Sequence, residues 1–284
     1  MNPYSKFVSD FARIVAEGKS LPLGGFAAPT RPAPAADAPV ALFFAPHPDD
    51  ETIAGGLALR LMREAGWQVI NAAVTLGSLE SRKAARWEEL RNACHYLGFG
   101  LESLDPSGMA VRTSIREADP EAWSRMTGLV AELFEKHRPK AIFFSHEHDW
   151  NSTHIGEHFL VMDALKESRG LQCHLFEMEF WGQMQSPNLM VEYTPAIVED
   201  LVAATSFHVG EVQRNPYHLV MPAWFMDNVR RGAELVGGQG GAAPGFLFAQ
   251  LFRMRRWNGS QAEDCLARGR FLPASENPAA LFAS

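Results

Sequence analysis

The sequence predicts an α/β fold built on a mostly parallel sheet flanked by helices. Three observations carry this. Short apolar runs alternate with stretches of helical length and periodicity, as in repeated βαβ units. Helix patterns close on Gly66, on Leu97-Gly98 and at Pro139, where glycine suits a C-cap and proline stops a helix. Clusters of acid and histidine follow two of the apolar runs, and open parallel sheets bind ligands at the carboxyl ends of their strands.

Taken in order, Phe7, Phe11 and Ile14 recur at helical spacing and predict a short amphipathic N-terminal helix. Residues 26–39, rich in Ala and Pro, read as an extended linker. Residues 40–46 form a buried strand and 52–65 a helix. "QVINAAVTLG" is a second strand, and 82–97 and 119–138 are helices. "AIFFSH" is a third strand, 154–168 a helix, and "HLFEMEFWG" a further strand. Beyond 183 the pattern loosens. "SPNLMVEYTPAIVEDLVAAT" reads as a loop and then a helix, 222–236 as another helix, and "FLFAQLFRMRRW" as a late strand. The expected organisation is an N-terminal helix and linker over 1–39 and a single α/β domain over 40–284, with a cap region from about residue 210.

A chain of 284 residues with 46% hydrophobic and 21% charged residues is an ordinary globular protein. Its net charge of −7 argues against nucleic acid as the main partner. The basic cluster Arg253, Arg255 and Arg256 is short and reads as a strand with outward-facing arginines. No run approaches the roughly 20 apolar residues of a membrane span, and the N-terminus has no signal-peptide pattern. Cys94, Cys173 and Cys265 are odd in number and far apart, which suggests reduced thiols and a cytoplasmic location. There is no GxGxxG in the first unit, and the glycines of 237–245 lack a following Lys-Ser/Thr, so no nucleotide site is expected.

The chemistry gathers in two places. In the first, His47-Pro48-Asp49-Asp50-Glu51 ends a buried strand, and adjacent carboxylates repel unless a cation relieves them. One imidazole and one carboxylate there could share a metal and leave the other carboxylate free. The competing reading, in which an Asp merely caps the helix, does not explain His47. In the second, "SHEHDWNSTHIGEH", His154 and His158 lie four apart on one helix face. Either could be a ligand; His154 is nearer the strand end, and His158 could equally be packed. His148, Asp149 and Asn151 could line the same pocket, with Ser152 and Thr153 as capping residues. Two His and one Asp with an open position describe a catalytic zinc site, and the spare carboxylate, Asp49, is then placed as general base. Such a donor set also accepts iron, manganese or cobalt.

"APHPDDE" resembles the first motif of the PIG-L/LmbE-like zinc-dependent deacetylases, which remove N-acetyl groups from glucosamine-containing substrates. The resemblance covers residues 40–210 and implies a Rossmann-like sheet with its metal at the strand ends. Carried over, it makes His47 and Asp50 zinc ligands, Asp49 the base and His154 the third ligand. Where the family's second motif has a first histidine for the oxyanion, this chain has Asn151; Asn151, His148 or His158 could take that role. "RWEEL" resembles the helix that carries a substrate-contacting arginine, here Arg86. His208 resembles a later family histidine, and His218, within the expected cap, is a further substrate-binding candidate. The implied activity is hydrolysis of an N-acetyl or N-acyl group on a small amino-sugar conjugate. The alternatives are an amide or ester hydrolase acting on a non-sugar metabolite and a non-catalytic sugar- or metal-binding protein. A homo-oligomer is compatible with all three.

Overall fold

The computed structural model describes residues 2–283. An N-terminal helix α1 (Ser5–Gly18) leads to β1 (Val40–Ala45), α2 (Asp50–Ile53), α3 (Gly56–Ala65) and β2 (Gln68–Ala73). Next come α4 (Glu80–Leu97), β3 (Gly100–Ser103), α5 (Ile115–Ala118), α6 (Pro120–His137), β4 (Ala141–Ser145) and α7 (Ser152–Glu167). The second half holds β5 (Cys173–Met178), β6 (Leu189–Tyr193), α8 (Pro195–Thr205), α9 (Val209–Arg214) and α10 (Met221–Leu235). It closes with β7 (Phe248–Trp257), β8 (Ala262–Asp264) and β9 (Arg270–Leu272).

The nine strands form one sheet in the order β3-β2-β1-β4-β5-β7-β6-β9, with β8 pairing β7 alongside. The first five of that order run parallel. The late strand β7 inserts antiparallel between β5 and β6, so the expected parallel sheet carries a mixed half. Alternation along β1 explains the layering. Phe43 packs with Leu57, Leu90 and Leu201 from α3, α4 and α8 on one face. Leu42 and Phe44 pack with Val130, Phe134 and Leu160 from α6 and α7 on the other. The crevice between β1 and β4 is where strand order reverses, the usual ligand position in such sheets.

Two elements differ from the sequence reading. Residues 189–193 are a strand, not loop, because Leu189, Met190, Val191 and Tyr193 are all buried between two neighbours and show no polar alternation. The helix expected over 52–65 is broken at Ala54-Gly55 into α2 and α3. A Cβ on Gly56 would lie 2.3 Å from the Tyr193 ring, so this helix start tolerates no side chain. The linker lies along the domain, with Phe26 edge-on to Tyr96 and Phe207. Arg253 and Arg255 pair with Asp264 and Glu177. The three cysteines are free, and no helix among the described residues is long and apolar enough to cross a membrane.

Candidate metal centre

The chain leaves β1 through Pro46-His47-Pro48-Asp49 and turns at once into α2. Asp49 makes the turn at φ 121°, a left-handed conformation that costs a non-glycine residue about 1–3 kcal/mol. Its neighbours hold it there. Asp49 N donates to Glu51 Oε2 at 2.9 Å, and Thr52 Oγ1 donates to Asp49 O at 2.7 Å. The Asp49 carboxylate makes no capping bond to the helix, so it is free to face the cavity.

His154, one turn into α7, meets this strand end. His47 Nδ1 lies 3.1 Å from His154 Nε2 and 3.5 Å from Asp50 Oδ2, and His154 Nε2 lies 3.4 Å from Asp50 Oδ2. A tetrahedral cation with bonds of about 2.0–2.1 Å has its donors roughly 3.3–3.4 Å apart. The triangle therefore fits one zinc-sized ion with a fourth position open, and it is the group of His, Asp, Glu or Cys so arranged among the described residues. Burial works to raise the Asp50 pKa, but the imidazoles of His154 and His47 outweigh it and hold the carboxyl below its usual range. Burial lowers His154, which keeps a lone pair available for a metal. His154 Nδ1 faces Asp149 Oδ1 at 3.8 Å, the side from which a carboxylate can orient a ligating ring.

Asp49 borders the same cavity, of about 540 Å³. Burial first, and then the charge of Asp50, push its pKa up to about 7. The hydroxyl of Tyr217 donates to its Oδ2. Arg86 lines the cavity and donates from Nη2 to Pro48 O at 2.9 Å, with its Nε 4.0 Å from Glu211. Its close approach is permitted by Gly77, which has φ 81° and where a Cβ would meet Arg86 Nη1 at 2.4 Å.

Asn151 also lines the cavity, but it is the N-cap of α7 in place of Ser152 or Thr153. Its Oδ1 accepts from Thr153 N at 2.8 Å. Three other candidates sit as follows. His148, considered for the oxyanion, has its side chain 79% exposed and lies outside the cavity wall, whereas Asp149 is buried beside His154. His208, considered a substrate contact, is fully buried, with Nε2 2.7 Å from Glu51 Oε1. His218 is buried too and borders neither cavity at the site. His158, the alternative ligand, is buried with Nδ1 2.9 Å from Ser145 O. Tyr217 and Trp181 were not anticipated. Nothing in their local sequence marks them, because they reach the site only through the packing of the second half of the chain.

Residues 42–165 match the family described as PIG-L, GlcNAc-PI de-N-acetylase, a span that contains all three residues of the triangle. That segment resembles the PIG-L family. No protein of curated function matches the sequence. Among solved structures, N,N'-diacetylchitobiose deacetylase from Pyrococcus horikoshii is similar over 91% of this chain and 96% of its own, at 16% identity and a TM-score of 0.56. A conserved protein from Thermus thermophilus is similar over 75% and 93%, at 20% identity and a TM-score of 0.57. The 4-carboxy-2-hydroxymuconate hydratase of Pseudomonas putida is similar over 76% and 95%, at 17% identity and a TM-score of 0.56. Solved structures of similar fold thus include both a deacetylase and a hydratase, and the reaction has to be argued from the site.

Proposed function

We propose that the protein is a metal-dependent deacetylase that hydrolyses the N-acetyl or N-acyl group of an amino-sugar conjugate. The observation that carries this reading is the pairing of a zinc-sized His47–Asp50–His154 triangle with an uncapped carboxylate, Asp49, on the same cavity wall. The PIG-L match supports the sugar amide, since its description names an N-acetylglucosamine lipid. Zinc suits the two imidazoles and one carboxylate; iron, manganese or cobalt would fit the same donors.

A cation held by His47, Asp50 and His154 would polarise the acyl carbonyl and acidify water. Asp49 accepts a proton from the attacking water, and a pKa near neutrality suits it to return that proton to the leaving amine. Tyr217 fixes the carboxylate by donating to Oδ2. The Asn151 amide, its oxygen already engaged by Thr153 N, keeps its NH2 to donate to the developing oxyanion. Arg86 sits where it can hold a substrate hydroxyl. The products are a carboxylate and a free amine. The three free thiols support a cytoplasmic site of action.

The test is acetate release by the zinc-loaded protein from a panel of N-acetylated amino sugars, acylated amines and esters. Release from the sugars, abolished by a chelator, is the expected result. Release only from simple amines or esters would move the reading to a non-sugar hydrolase. Metal binding with no release from any of them would make the protein a binder.

A further inference from the structure

A second chamber, of about 150 Å³, opens beside the triangle. Its walls are Ile53, Phe180, Val220, Met221 and Trp224, and Asp50 and Trp181 border both it and the larger cavity. Apart from Asp50 and Tyr217, its lining is apolar. The Phe180 ring stands edge-on to His154, with centroids 4.9 Å apart, so the chamber begins where the carbonyl would be held. The Phe180–Trp181 wall is firmly built. Asp149 Oδ2 accepts from Trp181 N and Gly182 N, each at 3.0 Å, and the buried pair Glu179–Arg231, 2.7 Å apart, ties the same loop to α10.

A carbonyl whose oxygen was held at the triangle would send the two substituents on its carbon in different directions. The large cavity carries Lys83, Arg86, Arg112 and Arg214, which suits a polar amine half. The small one offers a sugar's hydroxyls only Asp50, a member of the triangle, and Tyr217, already bonded to Asp49. A cavity of about 150 Å³ holds a benzene ring, roughly six carbons, whereas an acetyl methyl fills only a small part of that space.

We propose that Ile53, Phe180, Val220, Met221 and Trp224 form an acyl pocket that takes N-acyl groups of about four to six carbons in preference to acetyl. The inference rests on the acyl-amine reading above and assigns the acyl half of that substrate.

Acetate, butanoate and hexanoate, the corresponding product carboxylates, are titrated into the zinc-loaded protein by calorimetry. Burial of a methylene is worth about 0.8 kcal/mol, roughly fourfold in affinity, so hexanoate should bind at least about tenfold more tightly than acetate. Val220→Trp, at a half-exposed position, should collapse that ratio towards one. Equal affinities in the wild type would overturn the proposal, as would a ratio that survives Val220→Trp. Hydrolysis of N-acetyl- and N-hexanoyl-glucosamine is measured alongside. A steep carboxylate series with neither amide cleaved would support the pocket and sink the hydrolase reading. Cleavage of both amides at equal rates with a flat carboxylate series would do the reverse.

Discussion

Glu51 Oε1 lies 2.7 Å from His208 Nε2, both side chains fully buried, although 157 residues separate them in the chain. The other Glu51 oxygen takes the backbone N–H of Asp49. This pair from the far half of the molecule therefore holds the strained turn that aims the proposed base. Burial works to lower the His208 pKa, but the Glu51 charge outweighs it and raises the pKa above its ordinary value. Removing His208 leaves a buried carboxylate unpaired.

His208→Gln should lower stability by about 3–5 kcal/mol. It should also reduce kcat more than it weakens zinc binding, because the ligands themselves are untouched. A raised histidine pKa contributes stability fully below the unfolded value of about 6.5 and loses it as pH rises through the folded value. The stability gap between wild type and variant, measured by urea unfolding across pH 6–9, should narrow towards the alkaline end. A gap that widens with pH would mean the pair is not charged.

Asp49→Asn should keep zinc at one equivalent while kcat falls by roughly 10²–10⁴, the usual contribution of a general base. Its effect on the metal-free protein has the opposite sense. A carboxyl raised from 3.8 to about 7 in the folded state destabilises that state as pH climbs through this window. The metal-free variant should therefore melt higher than metal-free wild type at pH 8 and show little difference at pH 4. Scanning calorimetry at the two pH values reads both.

The Tyr217 hydroxyl lowers the Asp49 pKa by hydrogen-bonding its charged form. Tyr217→Phe should accordingly shift the acid limb of the pH profile of kcat/KM to higher pH. An unmoved limb would place the rate-controlling ionisation on another group.

Chelation should lower the melting temperature, because the triangle brings a carboxylate and two imidazoles together at the end of a buried strand. Free zinc at 100 times its dissociation constant adds about 2.7 kcal/mol. Readdition of zinc should restore the loss, and His154→Ala should show no such response.

Gly56→Ala tests the packing that seats the metal loop. The new methyl would press on Tyr193, whose hydroxyl donates to Gln250 Oε1 at 2.6 Å, so neither ring nor helix can yield freely. Overpacking of about 1–3 kcal/mol is expected, read as a lower urea midpoint.

The strands β1, β2 and β4 and the helices between them were legible in the sequence, because each apolar run is short and has a glycine or proline close to one end. The same local rules singled out His47, Asp49, Asp50 and His154 as candidates, and the structure brings His47, Asp50 and His154 together. They failed on β6, whose apolar run Leu189-Met190-Val191 is broken by Glu192 and too short to stand out from the surrounding loop. They did not indicate that His148 is exposed while His208 and His218 are buried. Exposure or burial of a histidine in a loop is decided by what packs over it, and the residues around it say little about that.

The sequence alone determined the class of sheet, the position of the site at two strand ends and the residue types gathered there, because these follow from hydrophobic periodicity and the cost of unpaired charge. Only tertiary structure decided that three donors close to within 3.1–3.5 Å, that Glu51 and His208 brace the turn, and that an aromatic chamber adjoins the triangle. Each of those depends on contacts between segments a hundred residues or more apart, which only the packed sheet and its helices bring together.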